Sequence, residues 1–370
     1  TSANWDTAQT VTVTGADDDL IDGTVSSTIT VSVNDAASDN NFDAVADQTV
    51  SVSTTDDDVA GFTVTETDGS TSVTEAGGTD TFTVVLNAQP DSDVVVAITS
   101  SDNGEASSNS PLTFTSSNWD TPQTVTVTGV DDFLIDGTIA SDLVVAIVDA
   151  SSDNNFDAVA DQTVSVSTTD DDAAGFTVTE TGGSTSVTEA GGTDTFTVVL
   201  NAQPDSNVVL SIASSDTGEA TVTSTLTFTS ANWDTAQTVT VTGADDDLID
   251  GTVSSTITVS VNDAASDNNF DAVADQTVSV STTDDDVAGF TVTETEGSTS
   301  VTEAGGTDTF TVVLNAQPSS NVVLSIASSD TGEATVTSTL TFTSANWDTA
   351  QTVTVTGADD DLVDGTVSST

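Results

Sequence analysis

This chain is crowded with carboxylates that have no cation to answer them: 61 Asp and Glu side chains, and not one Lys, Arg or His in 370 residues. Four acidic elements recur along it, typified by Glu189, by Asp216, by Asp245-Asp246-Asp247 with Asp250, and by Asp284-Asp285-Asp286. Crowded, unpaired carboxylates either take up protons or recruit metal ions, and hard divalent cations prefer oxygen ligands. Calcium needs six to eight oxygens at roughly 2.3–2.6 Å, a demand that several convergent Asp residues meet; magnesium tolerates such a flexible cage less well. The same inventory removes most enzyme chemistry. With no His, Cys, Lys, Arg or Tyr, activated Ser, Schiff-base and phosphate mechanisms lack their parts. Paired carboxylates of the glycosidase kind would have no Arg and few aromatics to hold a sugar. The chain therefore reads as a non-enzyme. Its acidic field repels nucleic acid and anionic lipid, and no apolar run is long enough for membrane insertion. The absence of Cys excludes disulfides as staples.

The elements that must position these acids repeat with one step. Trp5, Trp119, Trp233 and Trp347 are each 114 residues apart, and so are the triplets beginning at Asp56, Asp170 and Asp284. Repetition on this scale makes the repeat the unit of structure. It divides the chain into residues 1–59, the C-terminal half of a repeat; 60–173 and 174–287, two complete repeats; and 288–370, the N-terminal part of another. Residues 1–28 match 343–370 except that Ile21 becomes Val363, as expected of a stretch cut from a longer array.

Within 174–287, apolar residues alternate with Thr and Ser, which suits half-buried strands and argues against an acidic disordered tail. Strands are predicted at 175–180, 195–200, 208–212, 221–229, 238–242, 256–261 and 277–281, separated by turns such as Gly182-Gly183, Gly191-Gly192 and Asp250-Gly251. Seven short strands at this spacing predict an all-β fold: tandem immunoglobulin-like antiparallel β-sandwich repeats of 114 residues. The expected inward face is Phe176, Val178, Phe196, Val198, Leu200, Leu210, Ile212, Leu226, Phe228, Val239, Val241, Ile257, Val259, Val278 and Val280, with Trp233 as a lid over one end. Residues 262–275 form a second acid- and amide-rich stretch, read as a solvated loop pinned by Phe270 and the place for lateral contacts, with a further ion site as the alternative. In a sandwich, loops from alternate strands gather at one end, so acids far apart in sequence can meet there. Only three residues separate Asp172 from Phe176, so successive domains are expected nearly to touch.

The repeat resembles a Calx-β domain, the calcium-binding sandwich of sodium–calcium exchangers and of long bacterial surface proteins. The resemblance rests on Phe62 in Gly-Phe-Thr-Val-Thr-Glu, on Val-Thr-Glu75, and on Asp102 in Ser-Ser-Asp-Asn-Gly. It continues through Phe114, Asn118-Trp-Asp-Thr-Pro-Gln-Thr-Val-Thr-Val, Asp131-Asp132 with Asp136-Gly137, and Val164-Ser-Val before Asp170-Asp171-Asp172. It implies a cluster of calcium ions at one end of each sandwich, held by Glu75, Asp102, Asp131, Asp132, Asp136, Asp170, Asp171 and Asp172. The equivalents would be Glu189, Asp216, Asp245, Asp246, Asp250, Asp284, Asp285 and Asp286 one repeat on, and Glu303, Asp330, Asp359, Asp360 and Asp364 in the last part. In the first half-repeat they would be Asp17, Asp18, Asp22, Asp56, Asp57 and Asp58. Calcium-sensing members carry further acids after the double Asp, where this chain has Gly137-Thr138 and Gly251-Thr252, which implies fewer ions or weaker binding.

The function expected from these readings is a calcium-rigidified structural array, an extracellular stalk or filament for cell-surface adhesion. Its partners would be calcium ions, neighbouring repeats and other copies of the same chain. Near-identical repeats suit a spacer better than a binding module whose contact loops vary from copy to copy. The alternative is an ice- or carbohydrate-binding surface built on Thr rows such as Thr124-Val-Thr126-Val-Thr128. Alternating Thr is also the ordinary outer face of a strand, and the period is too long for a flat solenoid face.

Overall fold

The computed structural model describes every residue except Ser2, Asp361, Leu362 and Asp364. It is all-β with short 3-10 turns, and it divides into two compact units, Thr1–Asp172 and Ala173–Thr370.

The first unit opens with a lone antiparallel pair, β1 (Val25–Val31) and β2 (Gln48–Thr54). A sandwich follows. One of its sheets has the order β3 (Phe62–Glu66), β5 (Thr79–Leu86), β9 (Gln123–Gly129), β7 (Ala106–Ser108). The other runs β4 (Thr71–Thr74), β11 (Gln162–Thr169), β10 (Thr138–Ile147), β6 (Val94–Ser100), β8 (Leu112–Phe114).

The second unit repeats this plan. Its sheets are β12 (Phe176–Glu180), β14 (Thr193–Leu200), β18 (Gln237–Gly243), β16 (Ala220–Val222) and β13 (Thr185–Thr188), β20 (Gln276–Thr283), β19 (Thr252–Val261), β15 (Val208–Ser214), β17 (Thr225–Phe228). It ends with the four-stranded sheet β21 (Phe290–Glu294), β22 (Thr307–Leu314), β26 (Gln351–Gly357), β24 (Ala334–Val336), beside the pair β23 (Val322–Ser325), β25 (Thr339–Phe342).

Each complete repeat thus has nine strands, not seven. The run 221–229, expected as one strand, is two strands in different sheets: β16 pairs with β18 and β17 with β15. The change of sheet happens between neighbours, since Thr223 donates its N–H to the Thr240 carbonyl at 3.2 Å while the Ser224 carbonyl accepts from Ile212 at 2.9 Å. The strand that sequence missed, β13, is four residues long and pairs in parallel with β20. All the expected inward residues of 174–287 are buried except Val178, which is half-buried. Trp119 and Trp347 pack partly buried against their cores, as a lid should, whereas Trp5 is exposed.

The loop 262–275 is mostly exposed and pinned by Phe270, as expected, and it is also tied down by a carboxylate. Phe270 is fully buried, and buried Asp267 accepts N–H bonds from Ser206 at 2.8 Å and Asn269 at 3.0 Å. Its carboxylate is occupied by backbone amides, so the loop is knotted into the sandwich rather than left open for an ion.

Candidate metal centre

The parallel pair β13–β20 explains how acids almost a hundred residues apart meet. Thr188 is in register with Thr283, and the pairing runs one residue further, with the Glu189 N–H donating to the Thr283 carbonyl at 3.1 Å. Parallel strands end on the same side, so Glu189 and the triplet beginning at Asp284 emerge together. In 60–173 the same bond joins Glu75 to Thr169 at 3.1 Å.

A glycine seats the glutamate. Gly243, the last residue of β18, passes so close over the Thr188 carbonyl that a Cβ would lie 2.0 Å from the oxygen. Gly129 stands in the same relation to Thr74. Only a residue without a side chain permits that approach.

Asp284 organises the next part. One oxygen accepts from the backbone N–H groups of Asp250 and Gly251, at 3.0 and 2.8 Å, and the other accepts from Asp286 at 2.7 Å. Backbone donation from Gly251 and then Asp286 holds its pKa below the usual carboxylate value. Asp170 makes the corresponding bonds to Gly137 and Asp172, at 2.9 and 2.7 Å. The turn that brings Asp250 inward needs a left-handed residue, supplied by Gly251 at φ 80.

Two overlapping carboxylate groups result in each complete repeat. Glu75, Asp170 and Asp172 form one and Glu75, Glu105 and Asp136 the other, with one oxygen from each residue within 4.8 Å of the others; Glu189, Asp284, Asp286 and Glu189, Glu219, Asp250 repeat them. The glutamate common to both groups is only 1 % exposed in each copy. One oxygen each of Glu75, Glu105, Asp172, Glu189 and Glu219 is buried with no hydrogen-bond partner. Burial, and then repulsion from Asp132 and its neighbours, pushes the Glu75 carboxyl up to about 7; burial and Asp246 do the same to Glu189, also to about 7. Glu105, Glu219, Asp172 and Asp286 are raised for the same two reasons, desolvation first.

Buried carboxylate oxygens left without donors are costly. A divalent cation would satisfy them, and the donor set fits one. It is all oxygen and strongly anionic, it is drawn from five side chains, and two of its members sit on turns able to adjust.

Glu105 and Glu219 were not foreseen. The signal was present, since Glu105, Glu219 and Glu333 recur at the repeat step, each just before the Ala that opens a strand. The structure does not bring all the expected ligands into these groups. The Asp102 and Asp216 carboxylates accept from Gly104 and Gly218 at 2.9 Å, and Asp132 and Asp246 from Leu134 and Leu248 at 2.7 Å, so all four shape turns at the rim. Asp131, Asp171, Asp245 and Asp285 are exposed.

Among the described residues no such group forms in 1–59 or 288–370. In 1–59 Asp56 still accepts from Gly23 and Asp58 at 2.8 Å, yet Asp17, Asp18, Asp22, Asp57 and Asp58 have no buried glutamate to gather round. In 288–370, Glu303 is half-buried on a segment that is not a strand, and it shares no close group of three carboxylates with Asp330, Asp359 or Asp360. Asp364 lies outside the described residues.

No family model and no curated protein matches the sequence. Among solved structures, the chain is similar to the calcium binding domain CBD12 of CALX1.1, at 13% identity and TM-score 0.28, covering 60% of this chain and 99% of that one. Domains 4 and 5 of the S-layer protein SbsC align at 15% identity and TM-score 0.26, over 60% and 97% of the two chains. The D0-D1 domain of intimin aligns at 16% and 0.21, over 60% and 97%. These are distant likenesses, and the chemistry of the centre rests on the chain's own geometry.

Inside each unit the loop that bears the acids also reaches the following repeat. Leu20 bridges Gln89, whose N–H donates to the Asp19 carbonyl at 2.7 Å, and Ile21 packs against the core of 60–173. Asn155 donates its side-chain amide to the Ile21 carbonyl at 3.3 Å. In the second unit Leu248 bridges Gln317, which donates its N–H to the Asp247 carbonyl at 2.6 Å.

Proposed function

We propose that this chain is a calcium-rigidified structural array of Calx-β-like repeats, serving as an extracellular stalk or filament in cell-surface adhesion. The observation that carries the reading is the double duty of one short loop. Asp250 reaches the carboxylate centre of its own repeat, while Asp247, three residues earlier, holds Gln317 of the next. An ion binding Asp250 would fix the loop and, through it, the junction. Glu189, Glu219, Asp250, Asp284 and Asp286 would hold the ion in one repeat, and Glu75, Glu105, Asp136, Asp170 and Asp172 in the other. The ion would supply the positive charge that the composition lacks, and no chemical step is required of it. Surface exposure suits the reading, because millimolar calcium outside cells fills even modest sites.

The test is scattering and thermal melting of the full chain in calcium and in chelator. Calcium should raise the melting temperature and lengthen and narrow the distribution of end-to-end distances. Identical melting curves and identical scattering in both conditions would remove the metal, and with it the proposed source of stiffness.

A further inference from the structure

The two complete repeats differ in a patterned way. Strands β3, β4, β5, β9 and β11 match β12, β13, β14, β18 and β20 letter for letter. The loop 149–161, whose counterpart was expected to make lateral contacts, differs from 263–275 only at Ser151. Apart from two residues of β7, the changes within strands fall in β6 and β10, which are neighbours in the five-stranded sheet. Inward, apolar residues replace apolar ones: Val96, Leu143 and Ile147 stand where the next repeat has Leu210, Ile257 and Val261. Outward, the chemistry changes. Ala97, Val144 and Ala146, with Val148 just beyond β10, stand where the next repeat has Ser211, Thr258, Ser260 and Asn262.

Register gathers these residues into one patch. Ala97 pairs with Ala146, Thr99 pairs with Val144, and Val148 donates its N–H to the Val95 carbonyl at 2.9 Å. Val95 points outward too, since Val94 and Val96 on either side of it are fully buried. All five apolar residues are half-buried in the single chain. The core does not require them, because 174–287 builds the same sandwich with Ser, Thr and Asn at four of the five places. A patch that one repeat carries and its twin lacks marks a task given to that repeat alone.

We infer that the outer face of β6 and β10 packs against the same face of a second copy of this chain, sheet on sheet about a twofold axis. This goes beyond the stalk reading, because it needs no metal. Charge selects the occupant. Asp142 is the only acid in the five strands of this sheet, in a chain with 61 acids and no cation. Two copies repel each other at their acidic loops, and this nearly neutral face is where they can meet. A basic partner would be drawn to the acids instead, and a sugar would find no aromatic ring on the patch. Size agrees: with strands about 4.8 Å apart and ~3.3 Å per residue the sheet presents roughly 500 Å² a side, so a pair covers about 1,000 Å² in all, enough for specific but weak association.

Sedimentation equilibrium of the full chain, in chelator and at raised salt, tests the inference. A monomer–dimer equilibrium is expected, and it should tighten as salt screens the repulsion between copies. The quadruple variant Ala97→Ser, Val144→Thr, Ala146→Ser, Val148→Asn gives this repeat the outer face of its twin, a face already compatible with the fold. It should weaken dimerisation about tenfold or more and leave the melting curve in place. The protein has no Cys of its own, so a short bismaleimide should join two copies of an Ala146→Cys chain and leave Ser260→Cys, the same position one repeat on, largely unlinked.

Three outcomes would overturn the inference. A chain that stays monomeric at the highest concentrations in raised salt would assign the patch to a different partner. A dimer that the quadruple variant forms equally well, or cross-linking as efficient through Ser260→Cys as through Ala146→Cys, would move the contact elsewhere. With chelator present throughout, none of these results bears on the calcium reading, and loss of the calcium reading leaves this one intact.

Discussion

The α-carbon of Gly129 lies so close over the carbonyl of Thr74 that a methyl group there would come within 2.0 Å of the oxygen. That approach lets the end of β9 cross the exit of β4, and the residue after Thr74 is Glu75. Gly129→Ala should therefore damage both the fold and the site. A forced backbone shift of this kind costs about 1–3 kcal/mol, read as a lowered unfolding midpoint in urea. Because Glu75 moves with Thr74, calcium binding by that repeat should weaken as well, as titration calorimetry would show. Gly77→Ala is the contrasting case: nothing lies near its Cβ, so its positive φ is the only source of strain.

Glu75→Gln and Glu189→Gln separate the two roles of the shared glutamate. In chelator the amide replaces a buried group whose ionisation is disfavoured, so the melting temperature should hold or rise. In calcium the same change removes a charged oxygen common to both carboxylate groups of a repeat. A site filled at a hundred times its dissociation constant adds about 2.7 kcal/mol. That increment should shrink for the substituted repeat. A double variant that melts like the parent in both conditions would deny these residues a part in binding.

Metal-free stability should fall as pH rises from about 4.5 to about 7. The buried carboxyls of Glu75 and Glu189 titrate near 7 in the folded chain against 4.5 for the free side chain. Between those values the folded state holds more protons than the unfolded one. The contribution of these groups is therefore greatest below 4.5 and is lost as pH passes through 7. Asp284 and Asp56 have lowered values, so their contribution is lost only in acid, below the ordinary 3.8, outside this window. Calcium should reverse the slope, since the ion displaces the protons and binds more tightly as pH rises. Melting curves at pH 5, 6, 7 and 8 with and without calcium check both signs.

The fold class, the period and most of the core were legible in the sequence because alternation is a local signal. What was not legible was tertiary. The only mark in residues 221–229 of the place where the chain changes sheets is Ser224, polar where the alternation calls for an apolar residue between Val222 and Leu226, and one such position does not show that the strands on either side join different sheets; that is set by which neighbour each carbonyl and amide finds. The strand β13 was invisible for a related reason, since four residues carry little pattern and a parallel partner ninety-five residues away leaves no local trace. The site shows the same division. Glu189, Asp250, Asp284 and Asp286 were expected from charge and recurrence, but Glu219 looked like one more acid of the turn until its burial set it apart. Asp102 and Asp132, expected as ligands by position, each use one oxygen to hold a turn and stand outside the close carboxylate groups.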